Sequence, residues 1–379
     1  DRLPEPDRAP GAPHPRETER LFGQAQAESD FLTAYTSGRL HHGWLITGPK
    51  GVGKATLAWR IARFLLATPA ESGDSLFGAP PPPESLDIAP DHPVAHRLKA
   101  LSDPGLFLLR RGGIGSSDRD REKAVEEGRF SATIRVDEIR ELSGFLHLSA
   151  ADGGRRVVIV DAADELNVQA ANAILKMLEE PPARTTLLLI CHQPARLLPT
   201  IRSRCRELRC APLGPEDLAR ALAQAEAHVK PEDAEALTAL AAGSVGAALR
   251  LLNLDGLSLY RDLLAILASL PALDRPRLLQ LADSCAGRGK EERLDLALTL
   301  TDQLTARLAR TGATGQPPEH PAVEGEAQVL PRLCPDAPSA RRWAEAAQTA
   351  TERARRARAV NVDPAMLMTD MVLTLQKAL

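Results

Sequence analysis

The spacing Gly48-x-x-x-x-Gly53-Lys54 narrows what this chain can fold into more than any other feature. It lies within Trp44 to Leu66, WLITGPKGVGKATLAWRIARFLL. That stretch reads as a short apolar strand (44–47), a glycine-rich turn (48–53), and a helix with Leu57, Ile61 and Leu65 on one face. This is the P-loop pattern. Gly48, Gly51 and Gly53 let backbone N–H groups close around phosphate oxygens at a helix N-terminus, and Lys54 reaches the β- and γ-phosphates. One position departs from it. The hydroxyl expected after the lysine, which holds Mg²⁺, is replaced by Ala55, with Thr56 one place late.

A P-loop needs a sheet to carry it, and the chain supplies the strands. Arg156 to Asp161 (RVVIVD) and Thr185 to Cys191 (TTLLLIC) are apolar runs of buried-strand length, and Leu106 to Arg110 is a shorter candidate. Between the two long runs lies a helix over 168–180, with Asn167 as N-cap and Pro181-Pro182 ending it. Strands alternating with helices at these lengths predict an α/β fold, a parallel sheet with helices covering it. The P-loop then sits at the carboxyl end of the first strand, where such sheets bind ligands. Asp161 matches a Walker B acid, or it simply caps a strand end. The catalytic glutamate expected next is Ala162, and Asp164 lies too far along to replace it without a different backbone path. Losing both the metal-holding hydroxyl and the carboxylate argues against efficient hydrolysis, because phosphoryl transfer depends on positioning and charge. Phosphate binding can survive on the backbone amides and Lys54.

The 379 residues imply two or three domains. A 44% hydrophobic and 26% charged composition suits a soluble protein, and the net charge of −3 excludes a global basic field for DNA. No apolar run approaches the roughly 20 residues that span a membrane. The polar, proline-rich start has no signal-peptide core, so a cytoplasmic protein is expected. Cys191, Cys205, Cys210, Cys285 and Cys334 form no C-x-x-C pair, so neither zinc nor a disulfide framework is expected. Residues 1–19 read as a mobile tail, 68–93 as an exposed loop, and 111–129 as flexible. From Pro212 onward the pattern is helical: 215–227, 232–242, a third helix opening at 243–252, and helices to the end. His92 and His96 lack a third ligand and read as surface residues, Arg353 to Arg358 as a solvated face, and Cys191 as a core thiol.

Ser203-Arg204-Cys205 follows the third apolar strand. An arginine at the edge of an α/β module can stabilise a transition state in a neighbouring subunit, although on spacing alone IRSRCRELR reads better as a basic, solvated connector. The segments HHGWLITGPKGVGKATLA, VVIVDAADELNVQAANAILKMLEEPP and LLPTIRSRCRELRC, in this order and spacing, resemble the bacterial clamp-loader branch of AAA+ proteins. The likeness covers Leu21 to Cys210. It implies an AAA+ module over 20–210, a helical lid over 211–256 and a helical collar for oligomerisation over 257–379, in a ring that opens a sliding clamp and closes it on primed DNA. By position Arg204 corresponds to an arginine finger acting in an adjacent motor subunit's ATP site. Gly48, Gly51, Gly53, Lys54 and Thr56 correspond to the P-loop and Asp161 to the Walker B acid. The implied partners are gamma/tau-type motor subunits, a delta-type subunit, the clamp transiently, and primer-template DNA through the ring, with Asn167 to Asn172 as the turn nearest the template. Two departures stand out. Many relatives carry a four-cysteine zinc module after the P-loop helix, whereas 67–111 contains no cysteine; the lid motif GSxR reads Gly243-Ser244-Val245-Gly246. The expectation is a weakly or non-hydrolysing subunit that donates Arg204, with ATP binding left open. The rivals are a self-sufficient AAA+ ATPase of replication or repair and an inert scaffold.

Overall fold

Apolar runs at 43–47, 156–161 and 185–191 form the middle of one parallel sheet in a computed structural model of the chain. The structure describes residues 3–68, 81–147, 154–287, 289–360 and 362–379. Among these, five strands are ordered β2-β3-β4-β1-β5: β1 (Gly43–Thr47), β2 (Leu106–Arg110), β3 (Arg156–Asp161), β4 (Thr185–Cys191) and β5 (Arg206–Arg209). Every pairing is parallel, with Leu45 opposite Leu189 on one side and Glu207 on the other. Composition explains the order. β1 and β4 are buried along their whole length and take central places, whereas β5 buries only Leu208 and takes an edge.

The sheet belongs to the first of two compact units, comprising residues 1–225 and 243–246. Its helices are α1 (Ala25–Thr36), α2 (Lys54–Ala67), α3 (Pro93–Lys99), α4 (Asp118–Glu126), α5 (Val136–His147), α6 (Val168–Glu179), α7 (Pro199–Arg202) and α8 (Pro215–Gln224). α2 is buried on nearly every face, and Leu57, Ala58, Trp59, Ile61, Ala62 and Leu65 have no exposed surface. Each large aliphatic side chain so buried contributes about 1.5–3 kcal/mol. At α6 the expected cap is in place, with the Asn167 side-chain oxygen accepting from the Ala170 N–H at 2.8 Å.

The second unit comprises 226–242 and 247–379. It is helical: α9 (Ala234–Ala241), α10 (Val245–Asn253, whose first two residues belong to the first unit), α11 (Gly256–Ala268), α12 (Arg275–Ser284), α13 (Glu291–Thr314), α14 (Glu326–Leu333), α15 (Ala337–Ala359) and α16 (Pro364–Gln376). α13 packs on α11 and α15, and α15 on α16. In its core the fully buried Glu326 accepts hydrogen bonds from the Tyr260 hydroxyl and from Arg307 Nε, both at 2.7 Å. No described helix is long and apolar enough to cross a membrane.

Several expectations from composition are corrected. Residues 3–19 do not behave as a mobile tail: Asp7 pairs with His14 at 3.0 Å and Arg110 at 2.6 Å, Glu5 pairs with Arg16 at 2.6 Å, and Ala12 and His14 are buried. Segment 111–129 contains α4, capped by the Ser117 hydroxyl accepting from the Asp120 N–H. The basic connector after α7 contains β5, held by backbone pairing to β1. α8 groups with the first unit, where the Arg20 backbone and the Gln224 side chain exchange hydrogen bonds, and α9 groups with the second. Of the 68–93 loop, 69–80 lie outside the described residues, and His92 serves as the N-cap of α3, accepting from the Val94 N–H.

Candidate functional site

The turn joining β1 to α2 uses its glycines as the spacing requires. Gly48, Gly51 and Gly53 have φ of +141°, +81° and +104°, a region that favours glycine. A Cβ on Gly48 would stand 2.3 Å from the Cys210 carbonyl oxygen, so the loop begins tight against the end of β5. Lys54 opens α2 and is buried. Its ammonium donates to the carbonyl oxygens of Gly48 at 2.7 Å and Pro49 at 2.5 Å, so it folds back on its own loop. Burial pulls its pKa down to about 8, while the charges of Cys210, Asp161 and Asp164 oppose the fall. Thr56, one position beyond Ala55, is partly buried on α2.

The Gly243-Ser244-Val245-Gly246 segment lies directly on this loop. The Ser244 hydroxyl donates to the Lys50 carbonyl oxygen at 2.8 Å, and the Gly246 N–H donates to that of Gly51 at 3.2 Å. A Cβ on Gly246 would meet the Gly51 Cα at 3.1 Å, so a side chain at this position requires the P-loop backbone to give by a few tenths of an ångström.

Asp161 ends β3 on the same side of the sheet. Burial, with the charges of Asp7 and Glu165 added, pushes its pKa up to about 8 against the opposing effects of Lys54 and Arg110. Two further residues belong here, Asp164, which lies too far along the chain to stand in for the missing glutamate, and His192. Asp164 accepts from the His192 N–H at 2.9 Å, and both act electrostatically on Lys54 or feel it. Burial, then Lys54, pulls the His192 imidazole down to about 4, so it is neutral at pH 7, and its Nδ1 is buried without a partner. Their positions just beyond β3 and β4, at the carboxyl ends of parallel strands, were the available signal. As arranged, these groups do not fit a magnesium-bound triphosphate: the metal-holding hydroxyl is absent at Ala55, and the Lys54 ammonium is bonded to its own loop.

Arg204 is somewhere else. It precedes β5, which runs parallel to β1 with Arg206 opposite Trp44, so Arg204 lies at the amino end of the sheet. Its carbonyl oxygen is 3.5 Å from where a Cβ on Gly43 would stand. The P-loop begins five residues further along β1, about 16 Å away at roughly 3.3 Å per residue. Arg204 Nη2 pairs with Glu179 Oε1 at 2.9 Å, and Nη1 donates to the Thr200 carbonyl oxygen at 3.1 Å, with 38% of the side chain exposed. The fold therefore gathers Gly48, Gly51, Gly53, Lys54 and Asp161 and keeps Arg204 apart from them.

The described residues contain a single side-chain group with metal-ligand spacing, Glu5, Asp7 and His14. Both carboxylates are committed to Arg16 and Arg110, which makes the group an ion-pair cluster.

This fold and site define a P-loop-type α/β module, in a chain that also carries a helical unit. Residues 23–214 match the model of the family described as DNA polymerase III, delta subunit, and the chain belongs to that family. It is 38% identical over 212 residues to DNA polymerase III subunit delta' of Pseudomonas aeruginosa, covering 55% of each chain. It is 33% identical over 244 residues to the delta' subunit of Escherichia coli, covering 64% of each. Subunit tau of Salmonella typhimurium is 28% identical over 243 residues, covering 61% of this chain and 32% of tau. The matched region thus spans between about half and two thirds of the delta' relatives' length.

Proposed function

We propose that the chain is a delta'-like subunit of a bacterial clamp loader, one that contributes an arginine to a neighbour's ATP site and turns over little or no ATP itself. In this reading Arg204 places positive charge on the phosphoryl group transferred in an adjacent gamma/tau-type motor subunit during loading of the sliding clamp onto primed DNA. Its own Gly48, Gly51, Gly53, Lys54, Thr56 and Asp161 form a degenerate nucleotide site. A delta-type subunit completes the ring, residues 211–256 serve as the lid and 257–379 as the collar, and the assembly works in the cytoplasm.

The observation carrying this reading is the separation of the two sites. Arg204 is partly exposed at the amino end of the sheet, one strand length from the P-loop at the carboxyl end, so it cannot reach a nucleotide on its own chain. A guanidinium placed there has catalytic use only in another subunit's pocket, where such fingers are worth about 10³–10⁵ in rate. The test is a loader reconstituted with Arg204→Ala. Assembly should be retained while DNA-stimulated ATP turnover and clamp loading are lost at the site served; wild-type levels of both would refute the proposal.

A further inference from the structure

The ion pair between Arg204 and Glu179 joins the end of one helix to the loop before β5. Glu179 is the last residue of α6, with Pro181-Pro182 just beyond. A carboxylate at a helix carboxyl end faces the negative pole of the helix dipole and is poorly placed unless a cation compensates it. Arg204 is that cation, with Nη2 at 2.9 Å from Oε1. On its other side the guanidinium is held by the Thr200 carbonyl oxygen at 3.1 Å and the Ser203 hydroxyl at 3.5 Å. A guanidinium has five N–H donors in a fixed plane, so these contacts brace it while leaving donors on the exposed part of the side chain.

We propose that Glu179 is the positioning residue for Arg204. Its carboxylate fixes the guanidinium plane, so that the remaining N–H donors are presented outward to the phosphates of a nucleotide held by the neighbouring subunit. An unbraced arginine must lose its rotamer freedom on engagement, and the pair removes part of that loss in advance. The inference rests on the reading of Arg204 as a donor in trans. Exposed ion pairs of this kind are worth about two- to five-fold in an equilibrium constant, which sets the scale of the effect.

The experiment compares wild type, Glu179→Ala, Glu179→Gln, Arg204→Ala and the Glu179→Ala/Arg204→Ala double variant in the reconstituted complex, with ATP and primed DNA. Glu179→Ala should lower kcat by about two- to five-fold with KM for ATP unchanged. Glu179→Gln keeps an acceptor oxygen and should restore kcat. On the Arg204→Ala background, Glu179→Ala should add nothing. The inference is overturned, with Arg204 still the donor, if Arg204→Ala lowers kcat and Glu179→Ala does not. It is also overturned if Glu179→Gln is as impaired as Glu179→Ala, or if the Glu179→Ala loss persists without Arg204. If Arg204→Ala itself changes nothing, the donor reading fails first and takes this inference with it.

Discussion

Replacing Lys54 with methionine distinguishes a working phosphate ligand from a retained part of the frame. Burial lowers the Lys54 pKa from 10.5 to about 8 even though the ammonium donates to two loop carbonyls. At 1.36 kcal/mol per pH unit, that fall disfavours the charged folded form by about 3 kcal/mol at neutral pH. Below pH 8 folded and unfolded chains both hold the proton and the full penalty applies. Between pH 8 and 10.5 the unfolded chain holds a proton that the folded chain has released, so stability rises with pH. Methionine keeps the unbranched stem and removes the charge, but leaves the Gly48 and Pro49 carbonyls without this donor, a loss of about 1–3 kcal/mol. Lys54→Met should therefore range from equally stable to about 2 kcal/mol more stable at pH 7, and should lose about 3 kcal/mol of that standing against wild type by pH 10.5. Urea unfolding of both proteins at each pH measures this, and the pairing cancels Tyr260, whose pKa burial raises in both. ATP turnover by the assembled loader should be unchanged. A pH-independent stability difference, or a loss of turnover matching a motor-subunit knockout, would refute the reasoning.

Three further outcomes are expected. Gly48→Ala places a Cβ 2.3 Å from a backbone oxygen at φ +141°, and should cost at least about 2 kcal/mol in thermal or urea unfolding. Glu326→Ala leaves Arg307 and the Tyr260 hydroxyl without their buried acceptor; it should destabilise the helical unit by about 3–5 kcal/mol in urea unfolding, with Arg307→Ala adding less than its own separate loss. Arg204→Ala breaks only a partly exposed pair and should change stability by no more than about 1 kcal/mol by the same assay, so a loading defect in that variant reports on chemistry.

The sheet was legible because its central strands are fully apolar, and a run such as TTLLLIC has few alternatives to burial on both faces. The cap at Asn167 and the prolines after α6 marked that helix in the same local way. β5 carried no such signal: RELR buries only Leu208, and backbone bonds to β1 supply the order. The packing of residues 3–19 was equally hidden, since it depends on ion pairs from Asp7 and Glu5 to Arg110, about a hundred positions away. At the site, the losses at Ala55, Ala162 and Gly246 could be read directly, but their spatial meaning could not. That Gly246 lies against Gly51, and that Asp164 binds the backbone of His192, depends on contacts between segments far apart in sequence. Arg204 could be named by resemblance; its distance from its own P-loop required the parallel register of β5 on β1.

The claim that this chain assists another subunit's chemistry without performing its own is tested most directly by ATP turnover of the purified chain, alone and then assembled with motor subunits on primed DNA. The isolated chain should show no turnover above background, and the assembled complex should depend strongly on Arg204. Steady hydrolysis by the isolated chain, abolished by Lys54→Met and indifferent to Arg204→Ala, would contradict it.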